Sequence, residues 1–205
     1  MSVVVPKPAA TVIVARQGPE GLEILVVRRG PGTTFGPGFV TFPGGSIDEE
    51  DQDLAQRWFG HAGDVARAAA VRELAEETEM VVGSEGPRRL RPGEDVVAAI
   101  SADPPRREDL PQIARWVAPE FLEVRFDARF FAVAAPFGID AVVDGEENDR
   151  AWWAKPADVL AEHQLGSSLM WPTFHTLRGL AECTTVEDVL SLQLEQVAPP
   201  MPRPS

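Results

Sequence analysis

Apolar positions cluster first at 10–16 and 22–29, and the intervening Gln17-Gly18-Pro19-Glu20-Gly21 carries the Gly and Pro of a turn, so the start of the chain predicts a β-hairpin. A loop rich in Gly, Pro and Thr (30–38) leads into a short apolar strand, Phe39-Val40-Thr41-Phe42, that ends at Pro43-Gly44-Gly45. Residues 48–60 predict a capped surface helix, because Asp48, Asp51 and Asp53 lack the Gly and terminal Glu spacing of a calcium loop. Asp64 stands at the N-cap position of a second helix, on which Ala68, Val71, Leu74 and Ala75 share an apolar side. The stretch 83–119 is punctuated by Arg and Pro, with a helical centre at 93–100. Between 121 and 135 the pattern alternates, Phe126, Ala128, Phe130 and Ala132 against Arg125, Asp127, Arg129 and Phe131, as in one long strand or two. Asp144-Gly145 predicts a turn before Trp152-Trp153, and Lys155-Pro156 opens a short helix through Ala161. Two helices close the chain, one over 169–183 and one begun by the capping-box pattern at Thr184-Thr185-Val186-Glu187. This order predicts an α/β sandwich over residues 10–196, with an extension at 1–9 and a Pro-rich, disordered tail at 197–205.

Composition narrows the function more than the fold. At 205 residues, 44% hydrophobic and 25% charged, the chain can bury one sizeable core. No apolar run approaches the roughly 18–20 residues of a membrane span, and the first ten residues lack the pattern of a secretory signal. The single Cys183 forms no internal disulfide, which points to a core thiol and a cytoplasmic location. A net charge of −13 and a pI near 4.6 exclude sequence-independent binding to nucleic acid, although a small phosphorylated ligand remains compatible where metal and Arg reverse the local field. His61, His163 and His175 form no zinc pattern, and neither a Gly-x-Ser-x-Gly elbow nor a Gly-Lys-Ser/Thr phosphate loop occurs.

The sharpest chemical feature is Arg72-Glu73-Leu74-Ala75-Glu76-Glu77. At about 100° per residue the three Glu side chains share one arc of the helix, opposite its apolar side. Like charges at i and i+4 cost an isolated helix roughly 0.2–0.5 kcal/mol, a cost that a cation among the three would offset. Magnesium and manganese are the natural choices. Alone, Glu-x-x-Glu-Glu is ordinarily a solvated helix face. The Gly-Gly bend after an apolar strand, and the Arg directly before the first Glu, shift the weight towards chemistry.

Taken together these residues resemble the signature of the Nudix hydrolases. Gly45 matches its first Gly, Arg72-Glu73-Leu74 its Arg-Glu-apolar step, and Glu76-Glu77 its acidic pair. Three departures stand out. Residues 46–71 supply 26 positions where the signature has 13, which places an insertion at 46–63. The intermediate acid is an Asp, either Asp51 by its spacing to Gly45 or Asp64 by its spacing to Arg72. Glu79 replaces the closing Gly, so the helix is expected to run on or to end differently, towards Gly83.

The resemblance implies a Nudix-type α/β/α sandwich with a mixed β-sheet, supplemented by C-terminal helices at 166–196. It also implies metal held by Glu73 and Glu77, with Glu76 as a further ligand or as a base through bound water, and a carbonyl of Gly44 or Gly45 completing the shell. Arg72 would orient the carboxylates, and Glu147, or failing it Glu146, would supply an acid from beyond the signature. Arg28, Arg29, Arg125, Arg129 and Gly44 are the candidates to grip phosphate; for Arg125 and Arg129, pairing with Asp127 and neighbouring strands is the competing role. Trp152 or Trp153 is a candidate to stack on adenine, against a core role for one of them.

A narrower resemblance lies in the flanks. Arg28-Arg29 through Gly45, Ala114-Arg115-Trp116-Val117-Ala118-Pro119 with Arg125 to Phe131, and Trp171-Pro172-Thr173 are similar to the Nudix subgroup that contains the coenzyme A diphosphatases. This resemblance implies coenzyme A or acyl-coenzyme A as substrate, with ADP-ribose, NADH or a dinucleotide as the alternative and a ligand-binding regulator as the competing class. The partner is then a small nucleoside-diphosphate-linked molecule, with no nucleic acid and no membrane, and a homodimer stays open.

Overall fold

The computed structural model describes residues 4–33, 36–143, 145 and 147–196. The expected turn at Asp144, the alternative acid Glu146 and the Pro-rich tail lie outside the described residues. The predicted hairpin is present as β1 (Lys7–Gly18) and β2 (Gly21–Arg29), closed by a tight turn with Gly18 opposite Gly21. After it come β3 (Val40–Thr41), β4 (Gly44–Ser46), α1 (Asp51–Phe59) and α2 (Val65–Thr78). A small separate hairpin follows, β5 (Met80–Gly83) with β6 (Gly86–Arg89), and then α3 (Val96–Ala102). The second half holds β7 (Gln112–Val117), β8 (Phe126–Ala134), β9 (Asn148–Ala154), α4 (Pro156–Glu162), α5 (Trp171–Leu180) and α6 (Val186–Ser191).

β1 organises the main sheet. It pairs antiparallel with β2 and β4 and parallel with β8, while β3 and β9 join β2 and β7 joins β8, so the sheet is mixed as expected. Side chains of a strand alternate between faces, and β1 divides accordingly. Val12 and Val14 pack with Trp58 of α1, Leu74 of α2 and Ile100 of α3, whereas Ile13 and Ala15 pack with Val159 of α4, Leu177 of α5 and Val189 of α6. Helices therefore cover both faces, three on each, giving the α/β/α sandwich. Among the described residues no helix is long and apolar enough to cross a membrane.

Several local expectations need correction. Asp64 occupies the N-cap position of α2, but its carboxylate caps no backbone N–H; it is buried between Arg67 and Arg107, whose charges compete successfully for it. The 121–135 region holds one strand, starting only at Phe126. α2 does not run on towards Gly83. It ends at Thr78 because Glu79 adopts the left-handed conformation itself, φ 51°, with its N–H donating to Ala75 O and its carboxylate paired with Arg89 at 2.7 Å. A side chain in that conformation costs about 1 kcal/mol, and the chain reversal into β5 retains it. Five strands went unpredicted: β4 follows the expected Gly-Gly bend, β5 lies where the helix was expected to continue, β6 and β7 lie in the Arg- and Pro-rich stretch, and β9 contains the Trp pair.

Candidate active site

The Gly44-Gly45 bend is where the sheet meets α2. β4 runs antiparallel to β1 with Thr11 opposite Gly44 and Ala10 opposite Gly45. A Cβ on Gly44 would overlap Ala10 O and the Thr11 backbone, and one on Gly45 would overlap the Glu73 carboxylate. The missing side chain of Gly44 thus lets β4 lie close against β1, and that of Gly45 lets a helix carboxylate lie directly against backbone. Glu73 rests on Gly45, and Glu77 Oε2 accepts a 3.1 Å hydrogen bond from Gly44 N–H.

Arg72, buried on the same helix, binds the acids together. Its Nε donates to Asp51 Oδ1 at 2.9 Å and its Nη2 to Asp51 Oδ2 at 3.0 Å, a bidentate pair with a carboxylate that has no solvent exposure. Nη1 donates to Glu73 Oε1 at 3.1 Å and Glu76 Oε2 at 2.8 Å, and Nη2 also reaches the Ser46 carbonyl at 3.2 Å. Of the two Asp registers, Asp51 is therefore the one brought to the site, while Asp64 joins a different ion cluster. Glu76 sits at the rim, half-exposed and turned to Arg72.

Burial dominates the electrostatics. Loss of solvation pushes the Glu73 carboxyl up to about 7, with Arg72 opposing the rise and Glu76 and Glu147 adding to it. Loss of solvation pushes Glu77 to about 8, against the neighbouring Asn148 amide, the Gly44 N–H and the charge of Arg29. For Arg72, burial disfavours the charge, but the Asp51 hydrogen bonds and the surrounding carboxylates outweigh it and raise the pKa. The site holds two carboxylates at a high cost in solvation and locks one arginine as a cation.

Beside these groups opens a cavity of about 700 Å³, with Glu73, Glu147, Arg29, Gly44, Gly45 and Thr11 in its wall. Glu147, foreseen only by the resemblance, thus stands near Glu73. Of the four arginines proposed for phosphate, Arg29 lines the cavity and the other three do not. Arg28 is bidentate to Asp149 on β9 at 2.7 and 3.0 Å. Arg125 is buried, donating to Ala118 O and Val4 O and so fixing the chain ahead of β8. Arg129 projects from β8 on the opposite side from the cavity-lining Phe126, Ala128 and Phe130. Neither Trp of the pair reaches the cavity: Trp153 donates to Ile139 O and packs under Arg16, and Trp152 packs with Arg150 and His163. The sequence reading missed Thr11, Met170 and Asn148; an Asn directly after Glu147 at an inward strand position was the available signal for the last.

The NUDIX domain pattern matches residues 5–174. This chain belongs to the Nudix family. A crystallised NUDIX hydrolase from Alicyclobacillus acidocaldarius is 31% identical, with 95% of this chain and 100% of that one aligned at a TM-score of 0.80. The NUDIX domain of Shewanella oneidensis NrtR, crystallised with ADP ribose, is 15% identical over 87% of this chain and 88% of its own, TM-score 0.53. A MutT NUDIX hydrolase from Burkholderia pseudomallei is 16% identical over 85% and 98%, TM-score 0.51; these last two share the fold alone. No protein of curated function matches the chain.

Nudix hydrolases generally use divalent metals, and the donors here suit one. Among the described residues no three acidic, His or Cys side chains converge into a ready-made cage. Arg72 engages only one oxygen of Glu73 and one of Glu76. The hard oxygens of Glu73 and Glu77, poorly solvated beside an open cavity, are what a magnesium-sized ion takes. Because both pKa values rise from 4.5, the folded chain holds protons that the unfolded chain releases, and stability falls as pH climbs from about 4.5 through 7–8. A divalent ion competes with those protons. Saturating magnesium is therefore expected to raise the melting temperature by about 5–10 °C at pH 8.5 and by less than about 2 °C at pH 5.5. Thermal melts at the two pH values check this, and an equal shift at both would contradict it.

Proposed function

We propose that this Nudix hydrolase is a magnesium- or manganese-dependent diphosphatase that cleaves the pyrophosphate of a nucleoside-diphosphate-linked compound, with coenzyme A or an acyl-coenzyme A as substrate. The observation that carries the reading is that Glu73, Glu147 and Arg29 line one cavity beside the Gly44-Gly45 bend, with Glu77 buried next to it on Gly44 N–H. Bound divalent metal would neutralise the non-bridging oxygens and activate water. Glu73 and Glu77 would hold the metal, and the carbonyl of Gly45 or Gly44 would complete its shell. Arg29 would bind a phosphoryl oxygen, Arg72 would fix Glu73 and Glu76 in place, and Glu76 or Glu147 would accept the proton from the attacking water. The preference for coenzyme A rests on the flanking residues around Gly45, Trp116 and Trp171; ADP-ribose, NADH or a dinucleotide is the alternative.

Chromatography of products from coenzyme A, ADP-ribose, NADH and diadenosine polyphosphates, each with millimolar magnesium, tests the reading. The expected products from coenzyme A are 3′,5′-ADP and 4′-phosphopantetheine. Saturable binding of one compound with no turnover of any would replace the enzyme with a ligand-binding regulator.

A further inference from the structure

Next to the phosphate cavity lies a second hollow of about 540 Å³ with a contrasting surface. Among the described residues seven large hydrophobic side chains are exposed, and four of them, Phe121, Leu122, Val124 and Leu165, line this one groove. Trp116 and Trp171 contribute to its walls, and no charged residue does. Its one side-chain amide, Gln196, already donates to Val117 O at 3.0 Å and accepts from Val117 N–H at 3.1 Å. The Trp116 indole N–H is likewise taken, by Thr176 Oγ1 at 3.1 Å. Little is left to read a polar ligand. In a chain of net charge −13, so uniform an apolar hollow is an invitation to an uncharged, hydrocarbon-like group.

The groove adjoins the phosphate cavity. Phe126, Ala128, Met170 and Pro172 belong to both walls, which sets the two hollows side by side. Its volume falls within the roughly 300–1,000 Å³ of small-molecule sites, and it is a hollow beside the chemistry, where a subunit partner would instead cover a broad surface. We propose that the groove receives a linear apolar chain carried by the substrate whose diphosphate lies in the adjoining cavity. This rests on the diphosphatase reading and adds a specificity determinant: Phe121, Leu122 and Val124 select for substrates with a long hydrocarbon tail over those without one.

The test uses the full chain and its Leu122→Glu variant, with Val124→Asp as a second probe of the same wall. With magnesium, decanoyl-coenzyme A is expected to show a KM at least about tenfold below that of coenzyme A in the wild type, and a ratio near one in both variants. A second readout is independent of hydrolysis. Decanoyl-pantetheine, which has no phosphate, is expected to change the tryptophan emission of the wild type through Trp116 and Trp171, with acetyl-pantetheine much weaker and the variants unresponsive. Response to decanoyl-pantetheine without turnover of either coenzyme A compound would uphold the groove and remove the diphosphatase reading. Equal KM values for the two coenzyme A compounds, together with no chain-length dependence of emission, would overturn the proposal. So would a variant whose only change is dissociation of a dimer in sedimentation, which would make the groove a subunit interface.

Discussion

Glu77→Gln is expected to lower kcat by on the order of 10³-fold, about 4 kcal/mol of transition-state stabilisation, while leaving the protein at least as stable at pH 8. The two halves of this expectation have one cause. Glu77 is almost fully buried with its pKa pushed to about 8, so its charged form is held in the fold against the loss of solvation. A neutral amide removes that cost, and its carbonyl oxygen can still accept from Gly44 N–H. What the amide cannot supply is the negative charge that would hold a divalent ion. Steady-state kinetics with a urea denaturation curve separates the effects, and a variant that loses stability along with activity would mean that Glu77 is there for packing.

Arg72→Met is expected to destabilise the fold by about 3–5 kcal/mol, lowering the melting temperature by roughly 6–20 °C. The penalty arises mainly from the residue left behind: Asp51 has no solvent exposure and would be stranded as a buried charge. Adding Asp51→Leu to Arg72→Met removes the stranded charge and is expected to recover more than half of the loss. Urea denaturation of the two single variants and the double variant measures that coupling. A single Arg72→Met variant within 1 kcal/mol of wild type would show that the guanidinium network stabilises little.

What the sequence made legible was periodic or positional. Apolar clusters around a Gly-Pro turn exposed β1 and β2, alternation exposed β8, a capping-box pattern one residue ahead of the Thr185–Asp188 box exposed α6, and Gly-Gly ahead of Arg-Glu pointed to the candidate site. β9 stayed hidden because its outward residues are charged and its two Trp follow each other, so no clean period of two remains. β7 and β6 carry Arg at exposed or half-buried positions and are strands through tertiary pairing more than local preference. Asp51 and Asp64 could not be told apart by spacing, because the intervening α1 folds back against α2 and brings the more distant residue to Arg72. The arginines misled for a similar reason: Arg28 and Arg125 are spent on Asp149 and on carbonyls that sequence distance conceals.

β1 is shared property in this molecule: one strand supplies both hydrophobic cores and the backbone against which the Gly44-Gly45 bend is seated. A slip of one residue along it would exchange the two cores and carry Gly44 and Gly45 off α2. Local loosening at the bend is therefore tied to melting of the whole sheet, so thermal inactivation and global unfolding should be a single event, and the amides of β1 should be among the last in the protein to exchange with deuterium.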